Sequence, residues 1–213
     1  MSVIVIVGAA LVSGLAASAL TRWMRRVAGV ESFWLASGLH VAFAVVAGAG
    51  AAALADGWAE MVGYTLLGLG CALLVVIDLA ALRLPDVVVG PLYLVMLITL
   101  AVAAGVNGEP LRFVRAVGAA ALLVGVYFVL AFISPSGMGL GDVKFAGVLG
   151  LFLGWLGWPQ VILGMLAAFL LSAAVGLALM AVKRISRKTA LPFGPWMVAG
   201  AAIGAAWGST VLL

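Results

Sequence analysis

The sequence predicts an all-α, polytopic integral membrane protein, and three observations predict it. Hydrophobic residues make up 67% of the 213 and charged residues only 8%, whereas soluble domains run at roughly 45–50% and about 25%. The apolar residues gather in runs that approach or exceed the roughly 20 needed to cross a bilayer as a helix. The charges sit between those runs in short clusters. No polar stretch is long enough for a soluble domain, so the chain reads as a single membrane-embedded domain over 1–213.

Apolar runs bounded by polar residues, Gly and Pro give about eight spans: 3–20, 34–55, 59–81, 87–105, 113–133, 142–157, 160–182 and 194–212. The first has the apolar length of a signal peptide, but signal peptides carry their positive charge before the apolar run. Here "TRWMRR" follows it, which fits an uncleaved anchor with the N-terminus outside. The second opens after "VES". The third closes at "RLPD", where Pro85 breaks the helix. The fourth and fifth are separated by "NGEP". The sixth is short and rich in glycine, so it spans partly or leans on its neighbours. The seventh starts beyond "GWP", and the eighth is opened by "LPFGP".

The positive-inside rule tests this order. With the N-terminus outside, one set of loops holds Arg22, Arg25, Arg26, Arg83, Lys144, Lys183, Arg184, Arg187 and Lys188. The other holds Arg112 and Arg115 alone. The first set is therefore cytoplasmic, and Asp56, Glu60 and Glu109 fall outside. Net charge is +4, yet its distribution in short inter-span clusters excludes nucleic acid as a partner. The basic run "KRISRK" reads as a membrane-face anchor drawn to anionic lipid. The one cysteine, Cys71, has no partner for an intrachain disulfide or for a CxxC zinc site, and reads as a small packing residue.

Three carboxylates need an explanation. Asp78 lies in the last turns of the third span, where an ionised side chain costs roughly 2.5–3.5 kcal/mol. Intramembrane carboxylates face a protein interior or a water-filled cavity and are functional candidates by default. Asp142 starts the sixth span in "SGMGLGDVKFAG", with Gly137, Gly139 and Gly141 before it at every second position. Two readings stand side by side. An extended glycine strip admits a substrate peptide in strand-like pairing beside the carboxylate; or the loop only turns, and Asp142 caps the next helix. Since the third span runs down to the cytoplasm and the sixth runs up from it, the two aspartates share a depth. Such a pair can split the acid and base roles in activating a water, titrating as a unit. The third carboxylate, Asp86, follows Pro85 and reads as a cap of the fourth span.

These residues carry a family resemblance. "GMGLGDVK" resembles the GxGD signature of membrane aspartic proteases, in the extended form of bacterial type IV prepilin peptidases. "IDLAALRLPD" is similar to the segment bearing that family's first catalytic aspartate, and "LPFGPWMVAGA" resembles the one that opens its last helix. The resemblance implies Asp78 and Asp142 as the catalytic pair, with Gly137, Gly139, Gly141, Pro85, Asp86, Pro192, Phe193, Gly194 and Pro195 as supporting motif positions. It places Lys144 at the motif's lysine. It implies no metal or organic cofactor, a prepilin or pseudopilin substrate, and a bacterial inner-membrane location with cleavage at the cytoplasmic face. Larger members carry a cytoplasmic insert with paired CxxC motifs, associated with N-methylation. Here only "TRWMRRVAGVES" joins the first two spans, so methylation is not expected.

Arg83 and Lys144 lie near the aspartates; ordinary membrane anchoring explains them, and so does tuning of the carboxylates. His40, the only histidine, reads as a packed or hydrogen-bonded residue, since no second histidine or serine–lysine grouping supports metal or serine chemistry. A small proton- or cation-coupled transporter using the same two aspartates is the rival reading. Proton pathways spread their ionisable groups across the bilayer, whereas both aspartates sit at one end.

Overall fold

The computed structural model describes residues 2–134, 138–184, 186 and 189–211. Among these residues all regular structure is helical. The order is α1 (Val3–Ala28), α2 (Phe33–Ala36), α3 (Leu39–Leu54), α4 (Trp58–Ala81), α5 (Asp86–Asn107), α6 (Pro110–Ile133), α7 (Leu140–Leu156), α8 (Trp158–Ala181) and α9 (Gly194–Val211). Five of them, α1, α4, α5, α6 and α8, are long and apolar enough to cross a membrane, and α3 is a shorter apolar helix. The helices form two compact units, Met1–Phe113 and Val114–Leu213, divided within the first turn of α6.

In the first unit α4 packs against α1, α3 and α5. In hydrocarbon no hydrophobic force drives helices together, so close contact between small residues does the work. Ala17, Ala44 and Ala72 meet at the centre, each at most 2% exposed. Gly48 of α3 lies so close to Ser13 and the Ala9 carbonyl of α1 that a methyl group there would collide with both. Along α4 every residue from Gly70 to Asp78 is buried. A helix buried on all faces belongs to an interior. On α1, by contrast, Ile4, Val12 and Leu15 stand 82%, 62% and 70% exposed, a face suited to lipid.

Two boundaries differ from the expected spans. The first helix does not stop with its apolar run but continues through Arg22, Arg25 and Arg26 to Ala28. Long basic side chains lie along a helix and carry their heads to the interface, so the charge cluster does not end it. The turn comes at Gly29, in the left-handed conformation (φ 67°). The expected second span, 34–55, is divided: α2 ends at Ser37 and Gly38, where Gly38 takes φ 71°.

In the second unit α7 is the interior helix. From Val143 to Trp155 every residue but Lys144 is buried. Its backbone meets that of α6, because Gly150 and Gly154 offer no side chain towards Ala120 and Ala116. Arg115 of α6 closes the far end of α7, its guanidinium donating to the carbonyls of Gly154 and Trp155 at 2.7 Å each. Helices α8 and α9 pack closely at Gly200, where a methyl group would collide with the Gly164 carbonyl and the Ala168 backbone of α8.

Candidate active site

Asp78 sits in the last turn of α4, only 4% exposed. Its carbonyl accepts the N–H of Leu82, which ends the helix in the left-handed region at φ 51°. That conformation costs a residue with a Cβ roughly 1–2 kcal/mol, and it turns the chain sharply just beyond the aspartate. Arg83, Leu84 and Pro85 follow without regular structure, Leu84 buried. Asp86 is not the cap of α5. Pro85 holds that position in extended backbone, its carbonyl accepting from Val88 and Val89, and Asp86 is the first helical residue. The fixed φ of proline suits the extended cap, and a carboxylate in the first turn suits the helix dipole.

Arg83 does something the sequence did not reveal. It reaches back 55 and 56 positions to α1, where one terminal nitrogen donates to both the Ala28 and Val27 carbonyls at 2.8 Å. These are orphan carbonyls of a helix end, which a cation satisfies. The loop that follows Asp78 is thereby tied to α1. Arg83→Ala is expected to lower stability by about 1 kcal/mol, because the pair is partly solvated. Thermal unfolding in detergent checks this; an unchanged midpoint would remove the tie.

Asp142 occupies the third position of α7, and Gly139 is the helix cap in extended backbone (φ −80°, ψ 154°). The carboxylate reaches back, its Oδ2 accepting the Gly139 N–H at 3.0 Å. Of the two readings of this loop, the one with Asp142 itself as the cap gives way to this backward bond from inside the helix. Glycine at the cap supplies no side chain, so the bond must come from the third residue. The extended run stops at Gly139, since Leu140 and Gly141 are already helical; Gly137 lies outside the described residues. Lys144 is exposed, two positions along α7, and therefore points away from Asp142.

The proline–glycine segment belongs to the same unit. Phe193 accepts the N–H groups of Trp196 and Met197 and so opens α9, with Gly194 buried at its first residue and Pro195 next. Pro192 precedes them, half-buried. The Phe193 ring joins Tyr127 of α6 and Phe169 of α8, with centroids 5.3–6.1 Å apart. Tyr127 is 2% exposed and within electrostatic reach of the Asp142 charge. Sequence reasoning missed Tyr127 and Phe169, which look like any other aromatics in apolar helices.

Other candidates resolve plainly. His40 is buried, its Nε2 hydrogen-bonded to Thr21 Oγ1 at 2.8 Å, a joint between α3 and α1. Cys71 is buried and free. Arg112 is held among Glu109 (2.7 Å), Asp56 (3.7 Å) and the buried Glu60 (4.0 Å). Among the described residues no three His, Cys, Asp or Glu side chains converge to hold a metal ion.

Each unit therefore buries one helix on nearly all faces and carries one aspartate at an end of that buried stretch. With its long apolar helices, this is a polytopic helical membrane protein with acidic candidate sites. The model of the type IV leader peptidase family matches residues 65–181, more than half of the chain and inclusive of both aspartates. The chain belongs to that family. Among curated proteins it is similar to the prepilin leader peptidase/N-methyltransferase of Aeromonas hydrophila, 28% identical over 74% of this chain and 53% of that one. The protein of the same name from Stutzerimonas stutzeri is 29% identical over 68% and 50%. That from Pseudomonas putida is 36% identical over 40% and 29%. The chain thus spans about half, or less, of the relatives it matches. No solved structure matches it.

Proposed function

We propose that this protein is a membrane-embedded aspartic endopeptidase that removes the leader of prepilins or pseudopilins. The observation that carries the reading is the family match, which spans both aspartates. Each lies at the end of an interior helix, in surroundings where a carboxylate is costly unless used. In this reading both units form one peptidase domain.

Asp78 and Asp142 share the work. One, ionised, takes a proton from water as its oxygen attacks the scissile carbonyl carbon. The other, protonated, donates to the carbonyl oxygen. Collapse of the tetrahedral intermediate breaks the C–N bond as a proton passes to the leaving amine, and the pair returns to one proton between two carboxylates. No cofactor enters these steps. The Gly139 N–H holds one oxygen of Asp142, and Tyr127 lines its surroundings. Gly139 and Gly141 keep side chains away from its approach.

The site lies at the cytoplasmic face of the bacterial inner membrane. Loop charge supports this, and the two cations on the opposite side are both engaged, Arg112 with carboxylates and Arg115 as a helix cap. Scissile bonds next to a long apolar segment would lie at that depth. Methylation is left out, since the single cysteine, Cys71, provides no CxxC pair. The transport alternative gains nothing from the family match.

The test uses the purified chain in lipid nanodiscs with prepilins bearing a basic leader before an apolar run. Mass spectrometry is expected to find one new N-terminus at the leader junction. Intact substrate across several prepilins would remove the reading.

A further inference from the structure

The corner between α1 and α2 holds a cleft outside the segment matched by the family. Its construction follows from "RRVAGVESFW". Arg25 and Arg26 end α1, Gly29 turns the chain through the left-handed region, and Ser32 starts α2 by accepting the Trp34 N–H. Folding back leaves a cleft of about 810 Å³, lined by Arg25 and Arg26 from the end of α1 and by Glu31, Ser32 and Phe33 from the turn into α2.

The charges there are available. Arg25 spends its Nε on the Leu35 carbonyl at 3.2 Å, which fixes the side chain against α2. Neither Arg25, Arg26 nor Glu31 forms an ion pair among the described residues. A helix C-terminus normally repels anions, but here three of its last four carbonyls, those of Arg25, Val27 and Ala28, are engaged. The Gly29 N–H serves Arg25, and Arg83 serves Val27 and Ala28. Two guanidinium groups and one carboxylate line the cleft. At its rim Phe33 stands 76% exposed and Trp34 38%, edge to face at 5.8 Å. Exposed aromatic rings beside arginines, at the end of a membrane-length helix, mark the bilayer–water interface.

We propose that this cleft binds the headgroup of a zwitterionic phospholipid with a primary amine. The phosphate lies between Arg25 and Arg26, which offer charge-assisted donors, and the ammonium pairs with Glu31. The two rings flank the glycerol and upper acyl chains. The carboxylate selects the lipid: a phosphate without an amine would leave Glu31 facing only negative charge.

Native mass spectrometry of the full chain tests this, in micelles containing equal amounts of phosphatidylethanolamine, phosphatidylglycerol and diacylglycerol. Wild type is expected to retain phosphatidylethanolamine over phosphatidylglycerol by about fivefold, and diacylglycerol least. Arg26→Gln is expected to weaken retention of both phospholipids by about fivefold. Glu31→Gln is expected to remove the preference between them and keep the binding. Both residues lack ion-pair partners among the described residues, so both variants should unfold at the wild-type temperature. Equal retention by wild type and Arg26→Gln overturns the proposal. So does displacement of the lipid by inorganic phosphate, which would make this a free-anion site, or by an acidic peptide, which would make it a protein-docking site.

Discussion

Asp142→Asn is expected to lower leader cleavage by about 10²–10⁴-fold, the range attached to loss of a positioned acid or base. The substitution is chosen to spare the fold. Asparagine keeps the volume and an oxygen that accepts the Gly139 N–H, so the start of α7 stays closed as it is with Asp142. Asp78→Asn is expected to lose as much, since asparagine keeps the volume of the buried side chain (4% exposed) but can neither give nor take the proton. If the two act as a unit, the double variant is scarcely worse than either single one, because a unit fails when one member fails. Wild-type activity should follow a bell in pH. It falls at low pH as the base is protonated, and at high pH as the acid loses its proton. Initial rates on a purified prepilin across pH, with thermal unfolding measured alongside, check all three expectations. A variant that keeps more than about a tenth of wild-type activity would break the dyad, since even the lower bound of acid–base catalysis exceeds that.

Which parts of this picture the sequence discloses depends on how local the cause is. The helices from α4 onward were legible because apolar runs and their boundaries are local properties. From α4 to α9 each helix begins and ends within about three residues of its expected limits. Asp78 and Asp142 were legible because a charge within or beside an apolar run is conspicuous. The break at Ser37 and Gly38 was not, since Phe33, Trp34 and Leu35 keep the window apolar across it. Arg83 was open to two readings, anchor or tuner of the carboxylates, and Arg115 entered only the loop-charge tally, because sign and position were all that could be seen. Their carbonyl partners lie 55 and 39 residues away, and only the fold joins them. Tyr127 illustrates the same limit. It is 2% exposed and its neighbour Phe128 is 54% exposed, yet in sequence they are adjacent aromatics in one apolar helix.

The second large effect is expected at Gly150, which carries no chemistry. A Cβ there would lie 2.6 Å from the Ala120 Cα and 2.9 Å from the Ala119 carbonyl oxygen and the Ala120 nitrogen. These are backbone atoms, with no flexible side-chain end to swing aside, so α6 and α7 must part. Gly150→Val adds two further methyl groups to that collision and is expected to cost at least about 3 kcal/mol, a large share of a typical total stability. Gly125 of α6 is the control, because a Cβ there meets nothing within 4 Å. Gly125→Ala should hold or raise stability by about 0.5–1 kcal/mol, through helix propensity alone. Helix α7 carries Asp142 and α6 carries Tyr127, so widening this seam disturbs the surroundings of the carboxylate as well as the packing. Gly150→Val should therefore lose stability and cleavage together, where Asp142→Asn loses cleavage alone. Thermal unfolding and initial rates on the same preparations separate the two cases. A Gly150→Val protein that unfolds at the wild-type temperature would mean that the two backbones do not meet.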